Sequence, residues 1–361
     1  MKKMKKLLCL ALAAIMIFAM AACGSSSAPA PAAGSSAPAA EAPKADDTVY
    51  TLNFYHIFAG VGHEQKWITK AIEEIEAQSN GHIKINCVSD GTMGGEDELI
   101  PQVFAGTLDM SLSGPSVWGT VGGIDEIGWS ELPYVVTNYA EMNALGEVLP
   151  DLTNKQLEAK GIDLYCLGAM SQGIRCLLTT ADHKVETMAD CAGLRIRVPS
   201  SDVYQETVAA WGCSPTAMSS SQVITSLANG TIEGFESDPA SITARGQQES
   251  FKYYIETYHI ASLNLLMINK SNLEKLPVEY QDIIKNVFKT KCVEQCVDRV
   301  GANEAEVEVI KAAGAEVITP TPEALAEFIA ADKAFQQKKI DEWGVQDIVN
   351  EALEYVAANT K

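Results

Sequence analysis

The most informative stretch of the sequence is GLRIRVP, residues 193–199. Leucine, isoleucine and valine alternate there with Arg195 and Arg197, which is the two-residue period of a strand with one apolar face. Pro199 ends the strand, so Arg197 stands at its carboxyl end. A guanidinium in that position can hold a carboxylate by two parallel hydrogen bonds. From spacing alone, a solvated surface arginine is an equally good interpretation.

Strands and helices alternate around this stretch, from Val49 to the C-terminal region. Alternating residues at 50–54 and 83–87 predict strands, and residues 67–75 between them follow the helical period. Further strands are predicted at 108–112, 162–168, 174–180 and 194–198 and near Ile232, Tyr254 and Leu265, and helices at 99–104, 201–211, 220–229, most of 270–313 and from Thr321 onward. This order predicts an α/β protein with a largely parallel sheet and two lobes that share a crevice at their strand ends.

The first residues predict export from the cytoplasm. Four lysines precede an apolar run that is too short to span a bilayer, so residues 1–22 are predicted to be a cleaved signal peptide. MAACG, residues 20–24, resembles a bacterial lipobox in which Cys23 is lipidated. Residues 23–48 then form a lipidated cysteine and an Ala/Pro/Ser-rich tether, because this composition has too little apolar bulk to fold. We expect an extracytoplasmic protein attached to the membrane by its lipid alone.

Charge and cysteine content exclude several classes of function. The formal net charge is −20, from 27 Lys and Arg against 47 Asp and Glu. A nucleic-acid partner is not expected, since such binding needs clustered basic residues. Once Cys9 and Cys23 are set aside, an odd number of cysteines remains and no CxxC pair occurs. Those cysteines are predicted to be small buried apolar residues, and neither a structural zinc nor a cofactor is expected.

Several motifs in this order and spacing resemble those of the solute-binding proteins of TRAP (tripartite ATP-independent periplasmic) transporters. They are GGE (94–96), LPY (132–134), GIR (173–175), GLRIRVP (193–199), GCSPTAM (212–218) and the segment from Leu227 to Glu236. The resemblance extends from Val49 to about Val356. It implies a two-lobed periplasmic-binding-protein-like α/β fold with a ligand cleft between the lobes, crossing segments and a long helix in the C-terminal half. Expected boundaries are 49–172 plus 261–300 for lobe I and 173–260 plus 301–361 for lobe II.

The resemblance also implies a function. Such proteins are not enzymes; they capture a small organic acid and deliver it to the TRAP permease subunits in the membrane, and we expect a monomer. Arg197 matches the family's carboxylate clamp, and Arg175 matches an arginine that commonly assists it. Glu96 matches an acidic position that often faces the cleft in sugar-acid binders. His63 lies where some members place a ligand-facing histidine, although a plain loop histidine is an equally good interpretation.

Departures from the family pattern leave the identity of the ligand open. Members often carry an aromatic residue near Ser220 and Glu-Asn near 236, where this chain has Glu236, Ser237 and Asp238. All three are candidate ligand-binding residues, and the carboxylates of Glu236 and Asp238, like that of Glu96, could accept hydrogen bonds from hydroxyl groups. A sugar acid is the preferred ligand. A dicarboxylate, an oxo acid or an aromatic acid remains an alternative, favoured if Ser220 merely opens space for an apolar group.

Two other classes of function are alternatives to transport. An enzyme would use Glu96, His63 and Asp238 as acid and base groups, but the sequence lacks a nucleophile elbow, metal-ligand spacing and a phosphate-binding glycine loop. A sensory protein that docks on a receptor would share the fold of a transport protein. Only its partner would distinguish it.

The lipobox-like segment generates the first testable prediction. Replacement of Cys23 by Ala removes the only thiol that the motif places for acylation. The variant should lose incorporation of labelled fatty acid and move from the membrane to the soluble fraction, because an unlipidated tether has no apolar anchor. Retention of the variant in washed membranes would contradict the lipobox interpretation.

Overall fold

A computed structural model describes residues 48–360; the predicted signal peptide, Cys23 and nearly all of the tether lie outside the described residues. The strands are β1 (Tyr50–His56), β2 (Ile83–Val88), β3 (Met110–Ser113), β4 (Leu164–Thr179), β5 (Arg195–Val198), β6 (Ser214–Ala217), β7 (Gly234–Ser237), β8 (Tyr253–Asn269) and β9 (Glu316–Ile318). The α-helices are α1 (His63–Gln78), α2 (Glu96–Phe104), α3 (Pro115–Gly122), α4 (Tyr139–Ala159), α5 (Asp202–Ala210), α6 (Val223–Ala228), α7 (Pro239–Ala244), α8 (Lys270–Glu274), α9 (Val278–Ala312), α10 (Pro322–Trp343) and α11 (Gln346–Asn359).

All nine of these strands belong to one mixed sheet. Its order is β2-β1-β3-β8-β4-β7-β5-β6, with β9 paired to β8. Pairing is parallel among β1, β2 and β3 and among β5, β6 and β7. The central pairs β3–β8, β8–β4 and β4–β7 are antiparallel. The predicted α/β alternation is therefore confirmed, but the prediction of a largely parallel sheet holds only for its two outer parts.

Two long central strands join the two halves of the sheet. β4 has 16 residues and β8 has 17, and they pair along almost their whole length. The predicted strands 162–168 and 174–180 are thus one strand, and those near Tyr254 and Leu265 are another. The register shifts between Ser171 and Gly173 and again between Arg175 and Leu177, where the pair passes from one half of the sheet to the other. Such irregularities bend and twist a strand pair.

The long helix in the C-terminal half, α9, supplies side-chain hydrogen bonds to the backbone of β4 at the register shift between Ser171 and Gly173. The amide of Gln295 accepts a hydrogen bond from Ser171 N (2.7 Å) and donates one to Ser171 O (2.7 Å). Arg299 Nε donates to Gln172 O at 2.8 Å. A buried N–H or C=O without a partner is costly, so these side chains replace the missing ladder bonds. They also explain why a 35-residue helix carries buried polar residues.

A buried acid joins α10 to the core. Asp332 Oδ1 accepts a hydrogen bond from Trp211 Nε1 at 3.0 Å, and Trp211 packs edge-on against Phe328 (5.3 Å between ring centroids) and His259 (4.9 Å). Asp332 Oδ2 has no hydrogen-bond partner. Burial raises the pKa of Asp332 from 3.8 to about 8, although the Trp211 bond opposes the shift. The group therefore favours its protonated form in the folded chain.

The pKa of Asp332 predicts a pH-dependent contribution to stability. A folded-state pKa above the unfolded value means that the contribution is complete below about pH 4 and is lost as the pH rises towards 8. Asp332→Asn keeps an acceptor for Trp211 and cannot ionise. Relative to this variant, the native chain should lose up to about 1.4 kcal/mol of unfolding free energy per pH unit in that window. Urea denaturation at pH 5 and pH 7 measures the difference.

Asp341 on the same helix is exposed and supplies the control. Asp341→Asn should shift stability equally at both pH values. A constant gap between the native chain and Asp332→Asn would show that Asp332 ionises normally when the chain is folded.

Candidate ligand-binding cavity

An internal cavity lies where the carboxyl ends of strands from both halves of the sheet meet. Residues at or just after the ends of β1, β3, β5 and β7 line it, together with residues of β4 and β8. The space open to the centre of a water molecule is about 60 Å³, enough for several waters or part of a small solute. Ligands commonly occupy this position in open α/β sheets.

Arg197 is a buried charged residue near the carboxyl end of β5, as the strand pattern predicted. Neighbouring Ile196 and Val198 are fully buried, and Arg197 points into the cavity with 6% of its surface exposed. Its Nε and Nη2 both donate to the carbonyl oxygen of Met218, at 2.9 and 2.6 Å. Burial lowers the pKa of Arg197 to about 10, so the guanidinium is still charged at neutral pH. Among residues 48–360 no carboxylate oxygen lies within 4.0 Å of it.

Arg195, on the same strand, lies outside the cavity. Its exposed guanidinium contacts Glu233 (2.9 Å) and donates to the carbonyl oxygens of Thr231 and Gly230, both at 3.0 Å. The two arginines of the quoted stretch therefore differ in environment. In the part of the chain that the structure describes, Arg197 is buried without a carboxylate partner, whereas Arg195 is exposed and paired with Glu233.

Arg175 also lines the cavity, but a carboxylate neutralises it. Its Nη2 donates to Glu236 Oε1 (2.8 Å) and to Glu236 O (2.9 Å), and its Nε donates to Glu236 Oε2. Burial would raise the pKa of Glu236, yet Arg175 and the nearby His259 lower it to about 2. The Arg175 guanidinium also lies 4.9 Å from the centroid of the Tyr204 ring. Glu236 thus fixes the position of Arg175 and does not itself line the cavity.

Two carboxylates do face the cavity. Glu96 is the first residue of α2, and its Oε1 accepts a hydrogen bond from Ser113 Oγ. Glu131 accepts hydrogen bonds from Ser116 N (2.9 Å), Ser116 Oγ (2.6 Å) and Tyr204 OH (2.7 Å). Burial raises the pKa of both carboxyl groups, although their hydrogen bonds oppose the shift. A negative charge in this part of the cavity is already unfavourable.

The remaining candidate residues divide between the cavity and its surroundings. Ser237, at the end of β7, lines the cavity. Asp238 does not: it is fully buried and caps α7, with Oδ1 accepting from Ser241 N at 2.9 Å. His63 is also placed elsewhere, because Nε2 contacts Asp298 (3.1 Å) and Nδ1 contacts Gln295 (3.0 Å) on α9. His63 is therefore not among the residues that line this cavity, and a ligand-facing role for it stays a prediction.

Sequence analysis missed Arg245, which follows α7 and lines the cavity. Its Nη2 donates to Ile57 O at 3.1 Å, and no carboxylate oxygen of the described chain lies within 4.0 Å of its guanidinium. Burial lowers its pKa. The rarity of arginine is the sequence signal that could have indicated Arg245. The sequence has only five arginines, and three of them (Arg175, Arg197 and Arg245) line this cavity.

Apolar residues (Ile57, Phe58, Val117, Pro199, Val223 and Phe235) also line the cavity, together with further amides and hydroxyls. These amides and hydroxyls belong to Gln172, Gln247, Asn264, Tyr204, Ser220, Ser241 and Ser262. The Nδ2 atom of Asn264 is buried without a hydrogen-bond partner, so it is available as a donor to a solute. In residues 48–360 the seven cysteines are free, and no cluster of His, Cys, Asp and Glu has the geometry to hold a metal ion.

Comparison with known proteins gives a consistent result. Residues 63–342 match the sequence model of the family described as bacterial extracellular solute-binding protein, family 7. The 2,3-diketo-L-gulonate-binding periplasmic protein of Escherichia coli is 27% identical over 246 residues, covering 65% of this chain and 73% of that protein. The C4-dicarboxylate-binding periplasmic protein of Rhodobacter capsulatus is 24% identical over 298 residues, covering 78% and 88%.

Solved structures support the fold. A TRAP periplasmic solute-binding protein from Haemophilus influenzae with bound L-gulonate superposes with a TM-score of 0.77 at 24% identity, covering 84% of this chain and 99% of that one. This likeness confirms the predicted two-lobed α/β fold class.

The buried Arg175–Glu236 pair generates a stability prediction with a built-in control. Glu236→Gln leaves a buried guanidinium without its counter-ion and should cost about 3 kcal/mol or more of unfolding free energy. Glu233→Gln breaks the exposed pair with Arg195 and should cost less than about 1 kcal/mol. Chemical denaturation of both variants measures the two losses. Equal losses would contradict the assignment of Glu236 as a structural counter-ion.

Proposed function

The chain belongs to family 7 of the bacterial extracellular solute-binding proteins, the extracytoplasmic binding proteins of TRAP transporters, and on this premise we propose that Arg197 clamps the carboxylate of a small organic acid. The family consists of binding proteins and not of enzymes. The best candidate ligand is a sugar acid, which the protein delivers to a membrane permease. We also propose that the protein is attached to the membrane through lipidated Cys23 and that it acts as a monomer. Its two lobes would meet at the boundaries 172/173, 260/261 and 300/301.

One observation carries the assignment of the clamp: Arg197 is charged and buried in a cavity at the strand ends, and no carboxylate of the described residues pairs with it. A buried unpaired charge is costly, and a ligand carboxylate would supply the missing counter-ion. Arg175 supports it from β4, held in place by Glu236. Arg245 is a second unpaired guanidinium on the same cavity and completes the cationic side.

The rest of the lining favours a polyhydroxylated acid. Amides, hydroxyls and Glu96 supply donors and acceptors that an apolar ligand would leave unsatisfied. One relative is named for binding 2,3-diketo-L-gulonate, and the structure of another was solved with bound L-gulonate. Both agree with a sugar acid as the ligand.

The first experiment identifies the ligand. A thermal-shift screen over aldonates, uronates, dicarboxylates, oxo acids and aromatic acids should show the largest stabilisation with a sugar acid, since binding to the folded state raises the melting temperature. If only neutral sugars or amines stabilise the protein, the assignment to acids fails.

Arg197 itself provides the quantitative prediction. Arg197→Ala should weaken binding of the identified acid by at least about 100-fold, or roughly 3 kcal/mol, because two charge-assisted hydrogen bonds are lost in a closed site. Arg197→Lys should recover only part of this, since an ammonium keeps the charge without the planar fork. Calorimetric titration measures all three affinities.

Arg195→Ala is the matched control. It removes an arginine two residues away that faces solvent and pairs with Glu233, so affinity should change by less than about threefold. A large effect at Arg195 with none at Arg197 would show that the wrong arginine has been assigned to the ligand.

A further inference from the structure

Two buried cysteines, Cys191 and Cys213, precede the neighbouring strands β5 and β6. Cys191 begins a turn that leads into β5, in which Leu194 N donates to Cys191 O at 3.1 Å. Ala192 (φ −57°, ψ 111°) and Gly193 (φ 77°) have the backbone angles of a type II turn, whose third position favours glycine. The backbone position of Cys191 is therefore fixed relative to β5.

A second turn fixes Cys213. Gly212 adopts φ 87° after the end of α5, and its N–H donates to Ala209 O at 2.9 Å. Cys213 N donates to Val208 O at 3.1 Å. These two bonds are those of a Schellman motif, which ends a helix and sets the direction of the chain that follows. Cys213 is thus the residue through which the chain passes from α5 into β6.

Backbone contacts hold the two turns against each other. Gly193 N donates to Gly212 O at 2.8 Å, and Ser214 N donates to Leu194 O at 2.8 Å. The position that a Cβ atom would take on Gly212 lies 3.8 Å from Ala192 Cα. Both cysteines are direct sequence neighbours of these contacting residues, so their side chains start from adjacent points of the backbone.

The two thiols also contact each other. Both side chains belong to the same apolar core, where Cys191 is fully buried and Cys213 is 7% exposed. A hydrogen bond between the two side chains, followed by burial, raises the pKa of Cys191. A disulfide requires close approach of the two sulfur atoms from closely spaced Cβ atoms. This pair meets the requirement of close approach.

The other cysteines of residues 48–360 have different surroundings. Cys292 and Cys296 lie one turn apart on α9, where the Cβ atoms of such residues are about 5–6 Å apart, beyond the usual span of a disulfide. Cys296 Sγ donates to Ala169 O at 3.4 Å, and Cys166 Sγ donates to Gly168 O at 3.5 Å. These thiols have backbone partners, whereas Cys191 has a second thiol as its partner.

We propose that Cys191 and Cys213 are joined by a disulfide bond when the protein folds outside the cytoplasm. Both are free thiols in this structure. The chain belongs to an extracellular family, and disulfides form and persist in extracellular compartments. The bond links the start of β5 to the start of β6 and encloses α5, so it constrains the unit that carries Arg197.

The oxidant is an external disulfide, either a small molecule or a thiol–disulfide oxidoreductase. One cysteine thiolate attacks it and forms a mixed disulfide, and the second cysteine thiolate then displaces the oxidant's remaining sulfur. The oxidant leaves as two thiols, which carry the two electrons and the two protons that the cysteines lose. Because burial shields both thiols in the folded chain, the bond forms before this part of the core closes.

Peptide mapping tests whether the bond forms. The full chain is refolded in an oxidising glutathione buffer, alkylated with iodoacetamide in denaturant and digested with trypsin. Peptides 185–195 and 198–245 contain Cys191 and Cys213 and should appear as one linked species that separates on reduction. Alkylation of both cysteines in the oxidised protein, or a link from either one to another cysteine, overturns the proposal.

Thermal unfolding tests what the bond does. A disulfide that closes a loop of this length restricts the unfolded chain, so the oxidised protein should melt about 3–6 °C above the same protein kept in reductant. Cys191→Ser and Cys213→Ser should each abolish this difference. Cys292→Ser, which removes another buried thiol, should retain it.

The comparison of oxidised and reduced native protein needs no substitution, so it remains decisive if a serine variant fails to fold. Equal melting temperatures of the two native forms, or a difference that persists in Cys191→Ser, overturns the stabilising role of the bond. Neither experiment depends on the identity of the ligand, so their failure would leave the proposed function of Arg197 unaffected.

Discussion

Pairing between the two long central strands is the constraint on which the rest of the structure depends. β4 and β8 join a parallel β1–β3 half to a parallel β5–β7 half, so every cavity residue is positioned relative to this pair. Arg175 lies on β4 beside its register shift, and Asn264 lies on β8. The hydrogen bonds of Gln295 at Ser171 allow the irregular segment to be buried. Without them the N–H and C=O of Ser171 would lose these hydrogen bonds inside the fold, which is costly.

The arginines of the cavity show how environment separates structural from functional charge. Arg175 has a bidentate partner in Glu236, and together the two behave as one neutral unit. Within residues 48–360, Arg197 is buried and Arg245 half-buried, each donating to a backbone carbonyl and to no carboxylate, and desolvation lowers the pKa of each. A protein tolerates such cost where a ligand removes it, because the missing counter-ion then arrives with the substrate. The proposed binding site therefore rests on these two arginines.

Local sequence patterns predicted the strand that carries Arg197, because alternation and a following proline are short-range signals. They did not predict that 162–168 and 174–180 are one strand. Ser171, Gln172 and Gly173 have the composition of a loop, yet Gln295 and Arg299 from a helix more than a hundred residues later satisfy this backbone. The antiparallel centre of the sheet was missed for a related reason, since pairing direction depends on which distant strands become neighbours.

The roles of the candidate acidic residues also could not be predicted from the sequence. Glu96, Glu236 and Asp238 are alike in sequence, but the fold gives each a different task. Arg175 and His259 lower the pKa of Glu236 despite its burial, and Asp238 caps a helix. Glu96 has one hydroxyl donor, and burial raises its pKa. Of these three acids only Glu96 lines the cavity, whereas Glu236 and Asp238 make their contacts within the fold.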